Sequence, residues 1–268
     1  MNFYNRIFKF FLINLLITGF AAKTYAQKGL PPKEITTATV NTHFPQHEDF
    51  KESMLSRIIV PTGFKASIAA TGLGKPRMIA LSDNGTLYVT RRDQGDVLML
   101  TDGNGDGRFD NMKTVWAKFK EVHGITIRNG MMYLCSNKEL KRAKIKTDGT
   151  LEDTVTLIDD LPEGGQHDNR CIAFGPDDML YISVGSDCND CKETNPENAT
   201  ILQAAADGSS RKIFARGLRN TIGFDWQPQT KELWGADNGT DWRGDSIPPE
   251  ELNKIIEDGN YGWPNGVW

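Results

Sequence analysis

After residue 26 this sequence has no apolar run long enough to cross a bilayer, so no helical membrane anchor is expected in its body. Apolar residues almost never recur at helical spacing, apart from a short possible helical turn near Pro248–Lys254. Basic charge is not in excess. The 31 Lys and Arg stand against 35 Asp and Glu, a formal net charge of −4, which lacks the electrostatic footprint of a nucleic-acid binder. Cysteine is scarce, with four in 268 residues. Cys188 and Cys191 are close enough in sequence to close a small disulfide loop. Lys192 stands where haem attachment would need His, and the strand–helix context of a thioredoxin-like redox pair is missing. Cys135 and Cys171 read as buried thiols.

What is present begins with a removable leader. Arg6 and Lys9 give a positive start, residues 10–22 an apolar core, and Thr24-Tyr25-Ala26 small residues at a cleavage position. The expectation is a signal peptide over 1–26 and a periplasmic or secreted protein with no membrane span after cleavage. Residues 27–59 read as a polar, irregular lead-in that wraps the body. His43 and His47 have the spacing of a helical metal pair, but Pro45 between them argues against helix, so both read as surface residues.

From residue 60 to 268 a turn followed by a short apolar strand recurs. Its anchors are Leu87, Met132, Leu180 and Leu233, roughly 45 to 53 positions apart. That period belongs to blades of four antiparallel strands, so the fold is expected to be all-β, a propeller with about four blades in this chain. The clearest hairpin pairs Cys171–Phe174 with Met179–Val184 across a Gly-Pro-Asp-Asp turn. His167 and Arg170 lie in the Gly-rich loop before it, where chemistry is often mounted on a rigid sheet. Arg219 and Asn220 repeat that placement about fifty residues later. Residues 102–110 (Asp-Gly-Asn-Gly-Asp-Gly-Arg-Phe-Asp) carry oxygens at the alternate positions of a calcium loop. Lys113 stands at the twelfth position, so the segment is either a weak calcium site or a tight Asp/Gly turn.

Taken in order, Gly-Gly-Gln-His167-Asp-Asn-Arg170, Gly-Leu-Arg219-Asn220, Glu-Leu-Asn253 and Gly-Asn-Tyr261-Gly-Trp-Pro264 resemble the soluble quinoprotein sugar dehydrogenases. The aldose and sorbosone dehydrogenase branch is the most similar. The resemblance covers roughly residues 60–268 and implies a six-bladed propeller that uses pyrroloquinoline quinone (PQQ) and calcium. It implies a small sugar as substrate and an external electron acceptor. His167 would be the general base and Arg219 would stabilise charge growing on the quinone. His123, Arg170, Arg219 and Asn220 would contact the cofactor, with Arg92 as a further cation. The carbonyls of Gly239 and Thr240 would ligate the cofactor's calcium, and Glu251 and Tyr261 a second, structural one.

Each has a plainer reading: Arg219 as a salt bridge between blades, Tyr261-Gly-Trp263 as core and turn. Two alternatives of other classes stand beside the dehydrogenase. One is a calcium-dependent lactone hydrolase using Asp187, Asn220 and Asp237; the other is a non-catalytic binding propeller. Six blades need on the order of 300 residues, and the sequence stops at Trp268. Residues 27–268 alone are therefore expected to bind PQQ poorly.

Overall fold

The computed structural model describes residues 46, 48–241, 243 and 249–266; the leader, His43 and His47 lie outside them. Among the described residues the chain forms four antiparallel sheets in sequence order. The first contains β1 (Ile79–Leu81), β2 (Leu87–Arg91), β3 (Asp96–Thr101) and β4 (Asn111–Trp116). The second contains β5 (Gly124–Arg128), β6 (Met131–Cys135), β7 (Leu140–Ile145) and β8 (Leu151–Ile158). The third contains β9 (Ile172–Phe174), β10 (Leu180–Val184), β11 (Thr200–Ala204) and β12 (Lys212–Arg216). The fourth has β13 (Thr221–Trp226), β14 (Leu233–Asp237) and β15 (Glu251–Ile255). This is an all-β, four-bladed propeller arrangement.

Turn chemistry sets the hairpins. Asn129 and Gly130 join β5 to β6 with φ of 51° and 71°, the two positive values that a two-residue turn matching strand twist requires. The four anchors all fall on the second strand of their sheet. Each pairs with a residue at or near the end of the first strand: Leu87 with Leu81, Met132 with Ile127, Leu180 with Phe174, Leu233 with Trp226.

Second strands are apolar on both faces because a neighbouring blade covers each face. On β6, Met132 and Leu134 pack against Tyr88 and Val97 of the first sheet, while Tyr133 and Cys135 pack against Ile172 and Leu180 of the third. On β10, Leu180, Ile182 and Val184 face the second sheet, and Tyr181 faces Leu233 and Ile255 of the fourth. Period-2 alternation thus divides each strand between two cores. Each fully buried Leu or Met contributes about 1.5–3 kcal/mol.

Two readings are corrected. Residues 251–255 are not a helical turn but β15, because Leu252 and Asn253 find partners in Ala236 and Gly235 of β14; pairing with a distant strand overrides local propensity. The described part of the lead-in is not wholly irregular. Glu52–Arg57 form a 3-10 helix with no buried residue, tied to the first sheet's loop by Glu52 Oε1 and Arg108 Nη2 at 3.2 Å. Cys188 and Cys191 are disulfide-bonded, and Cys135 and Cys171 are buried thiols. Burial pushes those thiols up to about 12 and about 11. In 102–110, the Asp102 carboxylate accepts from the amides of Gly105 and Gly107 at 2.7 and 2.8 Å, which closes the segment as an Asp/Gly turn.

Candidate active site

Four segments arrive at the same end of the first strands. Arg77, His123, Cys171 and Asn220 each exchange a backbone hydrogen bond with the end of the second strand of their own sheet: with Thr90, Cys135, Ser183 and Asn238. Contacts then run from one sheet to the next. Thr90 Oγ1 donates to His123 O at 2.8 Å, His123 Nδ1 donates to Arg170 O at 2.9 Å, and Ser186 N donates to Arg219 O at 2.8 Å. The topology therefore gathers residues that are about fifty positions apart in sequence.

His167 sits on a turn that needs glycine. A Cβ on Gly165 would lie 2.1 Å from Asp187 O, and one on Gly185 would lie 2.5 Å from the His167 Cβ. The imidazole Nδ1 is 3.0 Å from Ser186 O and 2.8 Å from Ser186 Oγ. A carbonyl only accepts, and the serine hydroxyl donates to Cys188 O at 2.8 Å, so Nδ1 carries the proton. Nε2 is then the bare lone pair, and among the described residues it has no hydrogen-bond partner. Burial, and after it the positive charge of Arg219, holds the imidazolium form down, below the usual value near 6.5.

Arg219 is held from three sides. Its Nε and Nη2 donate to Asn189 O and Oδ1 at 3.0 and 2.7 Å, and Nη1 donates to Asn238 O at 3.0 Å. The guanidinium lies over the Trp263 ring, 5.5 Å from its centroid. These bonds use three of five N–H groups, leaving one without a hydrogen bond on each terminal nitrogen, and Nη2 also lies 3.8 Å from the Asp241 carboxylate. The backbone amides of Arg219 and Asn220 both donate to the Asp237 carboxylate at 2.9 Å, and Thr221 Oγ1 joins them at the same distance. The Asn220 Oδ1 lies close to Gly185 and hence to His167.

Arg170 is expected to touch a cofactor, and the structure places it elsewhere. Its side chain is fully buried, and its guanidinium donates to the carbonyls of Pro162, His167 and Asn169 at 2.6, 3.0 and 3.3 Å. It braces the His167 loop from within. His123 is also buried, with Nε2 3.4 Å from Arg77 Nη2. Beside it, Lys75, Pro76, Arg77, Arg92, Asp93 and Asn169 line a cleft with about 360 Å³ of free space. Lys75 pairs with Asp93, and Arg92 pairs with Asp168. Among the described residues Arg77 has no carboxylate partner.

Gly239, Thr240, Glu251 and Tyr261, expected as two calcium sites, all line one small cavity together with Arg219, Asp237 and Trp263. Its free space of about 30 Å³ is the scale of one or two waters or a single ion. Burial, then the charge of Glu251, pushes Asp237 up to about 6. Thr240 Oγ1 is buried with no hydrogen-bond partner. The Tyr261 hydroxyl donates to Lys254 O at 2.6 Å and accepts from Ile256 N at 2.9 Å, so its carbonyl is the freer ligand for a cation.

A profile described as glucose/sorbosone dehydrogenase matches residues 73–267. The chain belongs to that family. Quinoprotein glucose dehydrogenase B of Acinetobacter calcoaceticus is 23% identical over 263 residues, covering 75% of this chain and 52% of that protein. The chain spans between half and three-fifths of the length of the first curated relatives it matches. Among solved structures, the calcium structure of a Trichoderma reesei carbohydrate-active enzyme of family AA12 superposes with a TM-score of 0.65. It is 23% identical and covers 77% of this chain and 60% of that one. The PQQ-bound form of an aldose sugar dehydrogenase from Streptomyces coelicolor gives 0.57, with 23% identity and coverages of 74% and 65%. At these identities the structural likeness speaks for the propeller fold.

In this glucose/sorbosone dehydrogenase family member, two observations test the implied groups. The small cavity offers two carboxylates and an orphaned hydroxyl in a desolvated setting, a fit for a hard cation taking oxygen ligands. Among the described residues no three acidic, His or Cys side chains converge on a metal position. Neutral oxygens such as Thr240 Oγ1 and the Gly239 carbonyl must therefore complete any such site. The carboxylates of an anionic cofactor fit the Arg77 cleft and the two spare N–H groups of Arg219. Sequence reasoning missed Ser186, Asn189 and Arg77. Only Arg77 carried a usable signal, since it precedes β1 as Asn220 precedes β13.

Proposed function

We propose that this chain carries the reacting end of a quinoprotein sugar dehydrogenase that oxidises the anomeric carbon of an aldose or related sugar to a lactone or acid. The carrying observation is His167. Its Nδ1–H is held by Ser186, its neutral form is favoured, and Nε2 is free to accept a proton. Removing the proton of the anomeric hydroxyl leaves a developing alkoxide, from which hydride departs far more readily than from a neutral alcohol. When bound, PQQ supplies the hydride acceptor. Arg219 presents fixed positive charge beside His167 and stabilises negative charge arising there. Asn220 and the cationic cleft of Arg77 and Arg92 hold the acidic cofactor, with His123 behind them. Gly239, Thr240 and Glu251, with the Tyr261 carbonyl, hold calcium. The reading includes an external electron acceptor and export directed by residues 1–26.

Because residues 27–268 alone are expected to bind PQQ poorly, the test is His167→Ala in a version of the protein completed to six blades, reconstituted with PQQ and calcium and assayed by reduction of an artificial acceptor with aldoses. Turnover is expected to fall about a hundredfold or more, with cofactor absorbance on binding retained. Wild-type turnover in that variant removes His167 as the base. No absorbance change in the unaltered six-bladed protein removes the quinoprotein reading.

A further inference from the structure

We propose that the disulfide-closed loop Cys188-Asn189-Asp190-Cys191 is the shared positioning element of Arg219 and His167. The inference rests on the roles given to those two residues above. Asn189 sits inside the four-residue ring and uses both ends of its polar inventory. Its carbonyl and its Oδ1 take the two bonds that aim the Arg219 guanidinium. The same Oδ1 accepts from Asp241 N at 2.8 Å, and Nδ2 donates to Asp241 O at 3.2 Å. The neighbouring half-cystine acts on the other residue. Cys188 O takes the Ser186 hydroxyl proton, which turns Ser186 Oγ into an acceptor for His167 Nδ1–H. One short loop therefore supplies two of the three bonds that fix Arg219 and the end of the relay that fixes the His167 tautomer.

A ring of four residues restricts the unfolded chain far less than a long loop would, so stability alone is a weak reason for this bond. It acts locally by limiting the conformations open to residues 188–191, and with them the directions in which two carbonyls and one side-chain amide can point. Other contacts hold the flank and the ring itself: Asp187 N donates to Glu193 Oε2 at 3.0 Å, and Asp190 pairs with Arg243. Opening the disulfide is thus expected to loosen the ring's aim without unfolding the blade. Arg219 has more to lose than His167, because Ser186 O still holds Nδ1 when the hydroxyl relay is broken.

The experiment needs no turnover. In the full-length, 15N-labelled protein, the Arg219 Nε–H resonance and the His167 ring-nitrogen pattern are recorded with the disulfide intact, after reduction by a phosphine, in Cys188→Ser/Cys191→Ser, and in Asn189→Ala. Thermal unfolding is followed in parallel. In the oxidised protein, a protected Arg219 Nε–H and the Nδ1–H tautomer of His167 are expected. On reduction, the Arg219 signal should be lost to exchange with water, and the His167 pattern should move part-way towards the other tautomer. Asn189→Ala should lose the Arg219 signal alone. If the double serine variant does not fold, the reduced wild type and Asn189→Ala decide. A folded, reduced protein with both signals unchanged overturns the proposal. These signals are independent of sugar oxidation. A normal rate in His167→Ala would therefore remove the base and leave this positioning result standing.

Discussion

Arg170 and Arg219 precede the first strands of successive sheets, each in a loop tied to the end of the second strand, yet they do opposite things. The Arg170 guanidinium is turned inward onto three backbone carbonyls. Arg219 is nearly as buried, but its guanidinium is gripped by Asn189 and Asn238, stacked on Trp263 and left with two spare N–H groups. The difference lies in the neighbours. The Gly164–Asp168 turn folds back over Arg170, so closely that a Cβ on Gly164 would meet its Nη2 at 2.4 Å. Around Arg219, the Asp237 carboxylate takes the backbone amides instead. Equivalent positions on a repeating fold thus serve scaffold in one blade and, in the proposed function, chemistry in the next.

The largest effect that separates the two loops concerns stability. Arg170→Ala should destabilise the protein by about 3–5 kcal/mol, because it leaves a cavity and takes the donor from one buried and two half-buried carbonyls. Denaturant unfolding reads this. Arg219→Ala should cost only about 1–2 kcal/mol while lowering turnover of the reconstituted protein by about 10²–10³. Equal stability losses in the two variants would erase the distinction.

A smaller effect sharpens the reading of the cavity on the far side of Arg219. Thr240→Val keeps the shape and removes the orphaned hydroxyl. Calcium affinity, read by titration calorimetry, should fall about tenfold or more, while the calcium-free protein should melt no lower than wild type, since an unsatisfied buried group has been removed. Unchanged affinity would take Thr240 off the ligand set.

The architecture was legible because the repeat is written in residue types with a physical period. Short turns and two-faced apolar strands recur at Leu87, Met132, Leu180 and Leu233, and all four anchors occupy second strands. β15 was not legible, because Pro249-Glu250-Glu251 looks like a helix start until β14 is beside it. The placement of His167 beside Arg219 followed from the repeat. Their supports did not. Ser186 and Asn189 are ordinary loop residues in sequence, and only folding shows that one takes the Nδ1 proton and the other aims the guanidinium. Arg170's inward turn was not legible for the same reason: the sequence shows a cation in that loop but not which way it turns.

The smallest effect separates burial from charge at His167. Its imidazolium is disfavoured first by burial and then by Arg219. The base works when neutral, so kcat/KM should be flat at neutral pH and fall as pH drops through a midpoint below about 6.5. Arg219→Gln removes a positive neighbour and should raise that midpoint part of the way back, with burial holding the rest.

The most direct test of His167 as the base measures that kinetic midpoint alongside the titration of the His167 ring nitrogens in the same protein. The two should coincide below about 6.5, with the proton added at Nε2. A kinetic midpoint that does not track His167, or a ring whose Nε2 is already protonated in the active pH range, would contradict it.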